Sequence, residues 1–227
     1  LISARADTNL IYNASRAAYE SQNWQKATKY LGILHEGAHS PSTSLLLSES
    51  LLKAGDTVKS QEIMMASLEQ FEYRDTLVMY VVNHQVRQGQ MDRAIEVLDN
   101  AIVARPDNFR YYWARALVFE EMDRYDEAIR SLSKAAEIGE GNPELYYHLG
   151  VLYYNIGIDL RKSALSITEN AAYRKAREEY LAKFREAVRW LERSYELDPK
   201  NEKTIARLHQ LYNQLQMKEK QESLPEN

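Results

Sequence analysis

The residues whose spacing most directly suggests chemistry stand near the start of the chain, in the string His35-Glu36-Gly37-Ala38-His39. Two imidazoles one helical turn apart can grip a zinc ion while the intervening glutamate activates a water, the hydrolytic arrangement of zinc peptidases. That chemistry needs one helix running through both histidines, and the local sequence opposes it. Gly37 is a helix terminator and Pro41 comes two residues after His39, so the string is expected to be a helix end and a loop, with no metal. His84, His148 and His209 stand alone along the chain and are expected to be structural or surface histidines. Cysteine is absent, which removes thiolate nucleophiles, disulfides and cysteine-based zinc sites. No glycine-rich phosphate loop, nucleophile elbow or paired-carboxylate constellation stands out. The expectation is a chain that is not an enzyme, with no catalytic, cofactor-binding or metal-binding residues.

The elements that would carry any other function are helical. The 227 residues are 44% hydrophobic and 27% charged, enough to bury a core, and only eight Gly and five Pro are available for turns. A many-stranded sheet needs more turn signals than that, so the chain is expected to be all-α. A net charge of −4 gives no global positive field to attract nucleic acid or anionic lipid, so partner choice must be local. No run of ~18 apolar residues is present, so no membrane span is expected.

The helices repeat. Gly89-Gln90-Met91-Asp92-Arg93-Ala94-Ile95 is echoed by Arg124-Tyr125-Asp126-Glu127-Ala128-Ile129, and Ala94 and Ala128 lie 34 residues apart. A step of 34 back from Ala94 reaches Ser60, preceded by Gly55-Asp56, and 33 further back lies Ala27 in Asn23-Trp24-Gln25-Lys26-Ala27. A fifth unit is split: Tyr146-x-x-Leu149-Gly150-x-x-Tyr153 carries its first helix, and Phe184-Arg185-Glu186-Ala187, Leu191, Ser194 and Asp198-Pro199 its second. Ala187 lies 59 residues after Ala128, 25 more than one period. Small residues at Ala27, Ser60, Ala94, Ala128 and Ala187 let paired helices approach closely. Leu31, Met64, Leu98, Leu132 and Leu191, four residues on, fill the next layer.

Over about residues 9 to 201 this pattern resembles the tetratricopeptide repeat (TPR) family, with its Trp/Tyr-x-x-Leu-Gly-x-x-Tyr first helix, small residue early in the second helix, and closing Pro; a bacterial TPR-domain protein is expected. The resemblance implies a right-handed superhelical solenoid of about five helical hairpins plus a C-terminal capping helix. The whole forms a single array over 1–218, with repeats at about 9–41, 42–74, 75–108, 109–141 and 142–201. Lys203 to Lys218, with Ile205, Leu208, Leu211, Tyr212 and Leu215 at helical spacing, is expected to be the capping helix, and 219–227 a frayed tail. Ser60 and Glu72 in the second unit, and Ser15 and Gln22 in the first, depart from the family pattern.

In this family the first helices line the concave face, which implies a non-catalytic scaffold whose groove holds another protein or peptide. Carried over by position, that groove would present Tyr12, Arg16 and Tyr19; Leu45, Glu49 and Leu52; Met79, Asn83 and Val86; Trp113, Leu117 and Glu120; Tyr147, Val151 and Tyr154; and, on the cap, Ile205, His209 and Tyr212. Tyr and Trp bury large areas at low rotamer cost and keep a polar tip, which suits recognition. Trp113 is the expected anchor, since its neighbour Tyr112 takes the core position. Some family members clamp a chaperone's C-terminal carboxylate with Lys, Asn and Arg. Here Tyr12/Arg16, Glu49 and Met79/Asn83 occupy those places, and Glu49 would repel a carboxylate. Helical repeats can also read RNA one base per unit, but an acidic chain with Glu49 and Glu120 in its groove opposes a polyanion, so no nucleic-acid partner is expected.

The extra residues of the fifth unit contain no Pro or Gly between Ile158 and Lys183. Tyr173, Ala176, Tyr180, Phe184, Ala187 and Leu191 run at helical spacing across the segment. Both helices of that hairpin are expected to lengthen by ~12 residues, turning near Thr168-Glu169-Asn170, to make an arm ~18 Å longer than its neighbours. Its basic residues, Arg161, Lys162, Arg174, Lys175 and Arg177 among them, make an assembly or docking module the alternative function, with self-association a further partner to consider. A start at Leu1 rather than Met, and the lack of cysteine, favour a cell-envelope, periplasmic or exported protein over a cytoplasmic one as the expectation.

Overall fold

The computed structural model describes residues 2–37 and 40–225, with side chains from residue 7 onward. Twelve helices and no strand are present among the described residues. They fall in two compact units, Leu1–Ala104 and Arg105–Asn227. The first unit holds α1 (Ile2–Glu20), α2 (Trp24–Gly37), α3 (Pro41–Lys53), α4 (Thr57–Gln70), α5 (Asp75–Arg87) and α6 (Met91–Ala104). The second holds α7 (Phe109–Glu121), α8 (Tyr125–Ile138), α9 (Pro143–Ala164), α10 (Asn170–Leu197), α11 (Glu202–Leu215) and the short α12 (Lys218–Glu222). The helices pack as hairpins: α1 on α2, α3 on α4, α5 on α6, α7 on α8 and α9 on α10.

Local chemistry starts and stops these helices. Ser40, Asp56, Asn108, Asn142 and Asn201 each accept a hydrogen bond from a backbone N–H of the turn they open, and Pro41 and Pro143 occupy first-turn positions where no N–H is needed. At the hairpin turns Gln22, Gly55, Gly89 and Asp123 have positive φ, between 57° and 93°. The residue after each donates back to a carbonyl five positions earlier: Asn23 to Ala18, Asp56 to Leu51, Gln90 to Gln85 and Arg124 to Phe119, each at 2.9 Å. This left-handed cap satisfies the last carbonyls and reverses the chain.

The interior follows the repeat. Ala27, Ser60, Ala94, Ala128 and Ala187 are all fully buried, and Leu31, Met64, Leu98, Leu132 and Leu191 are nearly so. Ser60 replaces the usual alanine without leaving its hydroxyl unpaired: it donates to the Ser48 carbonyl at 2.7 Å, and the two hydroxyl oxygens lie 2.9 Å apart.

The long hairpin is built differently. One period after Asp123 stands Gly157, at the register position of the turn, but α9 continues through it to Ala164. A Cβ at Gly157 would lie 2.6 Å from the Phe184 ring, and one at Gly150 would lie 2.5 Å from Leu191 Cγ. These glycines let α9 press onto α10, with Phe184 and Leu191 fully buried in the gap. Ala164, Tyr180, Leu208, Leu211, Tyr212 and Leu224 extend this core, and Leu215 and Met217 pack against it.

Fraying was expected over 219–227, but residues 219–225 are packed, and residues 226 and 227 lie outside the described residues. Residues 218–222 form α12, Leu224 is 9% exposed within the core, and the Pro225 carbonyl lies 2.8 Å from His209 Nε2. One leucine two residues beyond a polar run is enough to anchor it, because it lands on an apolar surface already formed by α10 and α11.

Candidate functional site

In the first unit the first-helix face forms a cleft of about 330 Å³ between α3 and α5. Glu49, Leu52 and Lys53 line it from α3, and Tyr80, Asn83, His84 and Arg87 from α5. Glu49 has its own neighbours: the Tyr19 hydroxyl, from α1, donates to it, and burial together with that carboxylate holds the Tyr19 phenol well above its ordinary value. Burial first, then Glu49, pushes Tyr80 up to about 12. His84 is pushed below its ordinary value by burial and by the charge of Arg87. The cleft thus has an apolar floor of Leu52 and Tyr80, an engaged carboxylate, and an amide and two cations at its rim.

Of the positions expected in this unit, Glu49, Leu52 and Asn83 share the cleft. Tyr12 is exposed, Arg16 pairs with Glu20 at 2.8 Å on its own helix, and Met79 is half-buried. Lys53, Tyr80, His84 and Arg87 were not among the expected residues. Tyr80, His84 and Arg87 each lie one position after Met79, Asn83 and Val86, and a helical side chain covers a surface spot displaced by about one residue from its own Cα. On α5 the cleft therefore takes Asn83 from the expected positions and Tyr80, His84 and Arg87 from the positions that follow them.

In the second unit the first helices are tied by cross-links 35 residues apart. The Trp113 ring of α7 lies 4.9 Å from the His148 ring of α9, and Asn155 Nδ2 donates to Glu120 Oε1 at 3.1 Å. His148 and Asn155 are seven residues apart, two turns, and occupy one face of α9. Gly150 and Gly157 occupy the opposite face, against α10. Burial lowers the His148 pKa, Glu144 and Glu120 counter it, and Lys203 adds to the lowering. Further along, Gln210 Nε2 of α11 donates to the Tyr154 hydroxyl at 2.7 Å, and the Arg207 guanidinium lies 4.5 Å from the Tyr154 ring centroid. Leu117 is exposed, and Tyr147, Val151, Tyr154 and His209 are half-buried. Tyr212 is 4% exposed and its hydroxyl donates to Glu192 of α10 at 2.6 Å, so it belongs to the core of this unit, as does Ile205. A tyrosine inside the core and one on a surface carry the same sequence signal, since both recur at helical spacing.

The arm residues Arg161, Lys162, Arg174, Lys175 and Arg177 are all exposed. Of the histidine string, α2 ends at Gly37 and His35 Nδ1 lies 3.2 Å from Ser44 Oγ of α3. Ala38 and His39 lie outside the described residues. Among the described residues no three His, Asp or Glu side chains gather as a metal site would require. No helix among them is long and apolar enough to cross a membrane.

Comparison with known proteins bears on the same elements. A family model described as tetratricopeptide repeat matches residues 82–143, which span α6 to α8 with the end of α5. A solved TPR repeats protein from Bacteroides fragilis superposes with a TM-score of 0.53 at 18% identity, covering 91% of this chain and 98% of its own. The crystal structure of MamA protein gives 0.51 at 17% identity, covering 86% and 95%. At that identity the likeness speaks for the fold, all-helical TPR hairpins. No curated protein matches the chain.

Proposed function

We propose that this chain, which matches the tetratricopeptide-repeat model over residues 82–143 and superposes on a solved TPR repeats protein, is a non-catalytic scaffold that holds another protein or peptide on its first-helix faces. TPR folds serve as protein-interaction scaffolds; the particular faces are our reading. The observation that carries it is the α3–α5 cleft, where Glu49, Leu52 and Asn83 converge with Tyr80 and Arg87. An apolar floor with a few polar groups at the rim is what an extended peptide needs: the floor takes a side chain and the amide pairs with the backbone. In the second unit Trp113 and Leu117 offer a further apolar contact, Leu117 being exposed. A second reading places the partner on the arm, favoured by its exposed cations.

The two readings separate by experiment. Cross-linking in the native source identifies the bound protein, whose affinity is then measured for variants. Asn83→Ala with Arg87→Ala removes two exposed rim groups at little structural cost and is expected to weaken binding about thirtyfold, the scale of an interface hot spot. Reversing the arm cations is expected to leave that affinity unchanged. Full binding by the rim variant and loss in the arm variant would move the site to the arm.

A further inference from the structure

The tip of the α9–α10 arm combines three features. Between residues 161 and 177 five side chains are basic and only Glu169 is acidic, in a chain whose net charge is −4. Leu165, capping α9 at the apex, is 76% exposed. The cations are only lightly engaged: Lys162 meets Asp159 at 3.1 Å and Arg177 meets Glu178 at 3.8 Å, both exposed pairs, while Arg161 and Lys175 make no ion pair among the described residues.

We infer that this tip docks on an anionic bilayer surface, with Leu165 inserted at the headgroup boundary and the surrounding Lys and Arg side chains on the lipid phosphates. The geometry favours a plane over a partner helix. At 3.6 residues per turn Arg174, Lys175 and Arg177 point about 0°, 100° and 300° round α10, and Arg161 and Lys162 are likewise splayed on α9. A single acidic helix would meet one side of such a tip, whereas a flat anionic surface across the arm's end meets all of it. Long cationic side chains reach such a surface while their stems lie along apolar groups. The arm is held from behind, since Ala164, directly before Leu165, and Tyr180 further down α10 are buried in the core and Leu215 and Met217 pack there. The tip is therefore presented by a supported element. This inference is independent of the first-helix cleft, which lies in the other unit.

The test is co-sedimentation of the full chain with vesicles of phosphatidylcholine alone or mixed with phosphatidylglycerol. Binding is expected only to the mixed vesicles, and is expected to fall as salt rises. Each cation near such a surface contributes about fivefold. The combined Arg161→Glu, Arg174→Glu and Lys175→Glu variant is thus expected to lose at least ~100-fold, and Leu165→Ser about tenfold. These sites are exposed, and an unchanged urea midpoint verifies the fold. Equal binding to neutral vesicles, no binding at low salt, or full binding by the charge-reversed variant overturns the inference. So does a native chain that ignores vesicles but self-associates through the tip, seen as a sedimentation shift lost in the charge-reversed variant.

Discussion

The α3–α4 and α9–α10 hairpins meet the same packing demand in different ways. In the first, the close approach is made through hydroxyls: Ser48 and Ser60, both fully buried, bond to each other and to each other's backbone. In the second, the position equivalent to Ser48 is Gly150, and the missing Cβ makes room for Leu191. The turn differs too. Gly55 has φ +93° and ends α3, whereas Gly157, at the matching point of the register, lies within α9 and receives Phe184. A glycine can thus serve the backbone or a neighbouring side chain, and the residues on its C-terminal side decide which. After Gly55 come Asp56, which caps α4, and a short helix; after Gly157 the helical pattern runs on unbroken.

The largest expected effect tests the second half of that contrast. Phe184→Ala, at a fully buried ring, is expected to destabilise by about 3–5 kcal/mol in urea denaturation. Gly157→Ala is expected to cost ~1–3 kcal/mol through overpacking, although alanine is the better helix former. Combining Gly157→Ala with Phe184→Leu should recover part of that cost, because the smaller side chain vacates the new methyl's place. Additive penalties would show that Phe184 is not the reason for the glycine.

A smaller effect tests the first half. Gly55→Ala meets no atom within 4 Å but forces a side chain into left-handed backbone, so a loss of about 1–2 kcal/mol is expected. At the equivalent turn Gln22, with φ 57°, Gln22→Gly is expected to raise the urea midpoint modestly. If both changes are neutral, these turns are not set by backbone conformation.

The smallest effect concerns the other face of α9. Burial lowers His148 in the folded chain, so between that value and the unfolded value of about 6.5 the unfolded chain binds the extra proton. Its contribution is fully present above about pH 6.5 and is lost as pH falls through the folded value. His84 shifts in the same direction. The urea midpoint is expected to drop below neutral pH in the native chain, and to drop less in a His84→Gln, His148→Gln variant. An unchanged pH profile would place the dependence elsewhere.

The repeat was legible because small residues 33 or 34 apart must occupy one packing position whatever the neighbours do. The all-helical class came from that period and from the scarcity of turn residues. Helix ends at Ser40-Pro41, Asp56 and Asn142-Pro143 were also local, since the capping oxygen and the N–H it satisfies lie within one turn. Tertiary structure decided the rest. How far Tyr212 and Tyr154 meet solvent depends on how α11 lies against α9 and α10, so one became core and the other a half-buried ring between Phe184 and Arg207. The phase of the first-helix face, which brought Tyr80, His84 and Arg87 into the cleft with Asn83, depends on a rotation of α5 smaller than one residue step. Leu224 became core only because α10 and α11 had already formed the surface it covers. Periodicity states which residues share a helical face; the direction that face looks is set by the neighbour that packs against it.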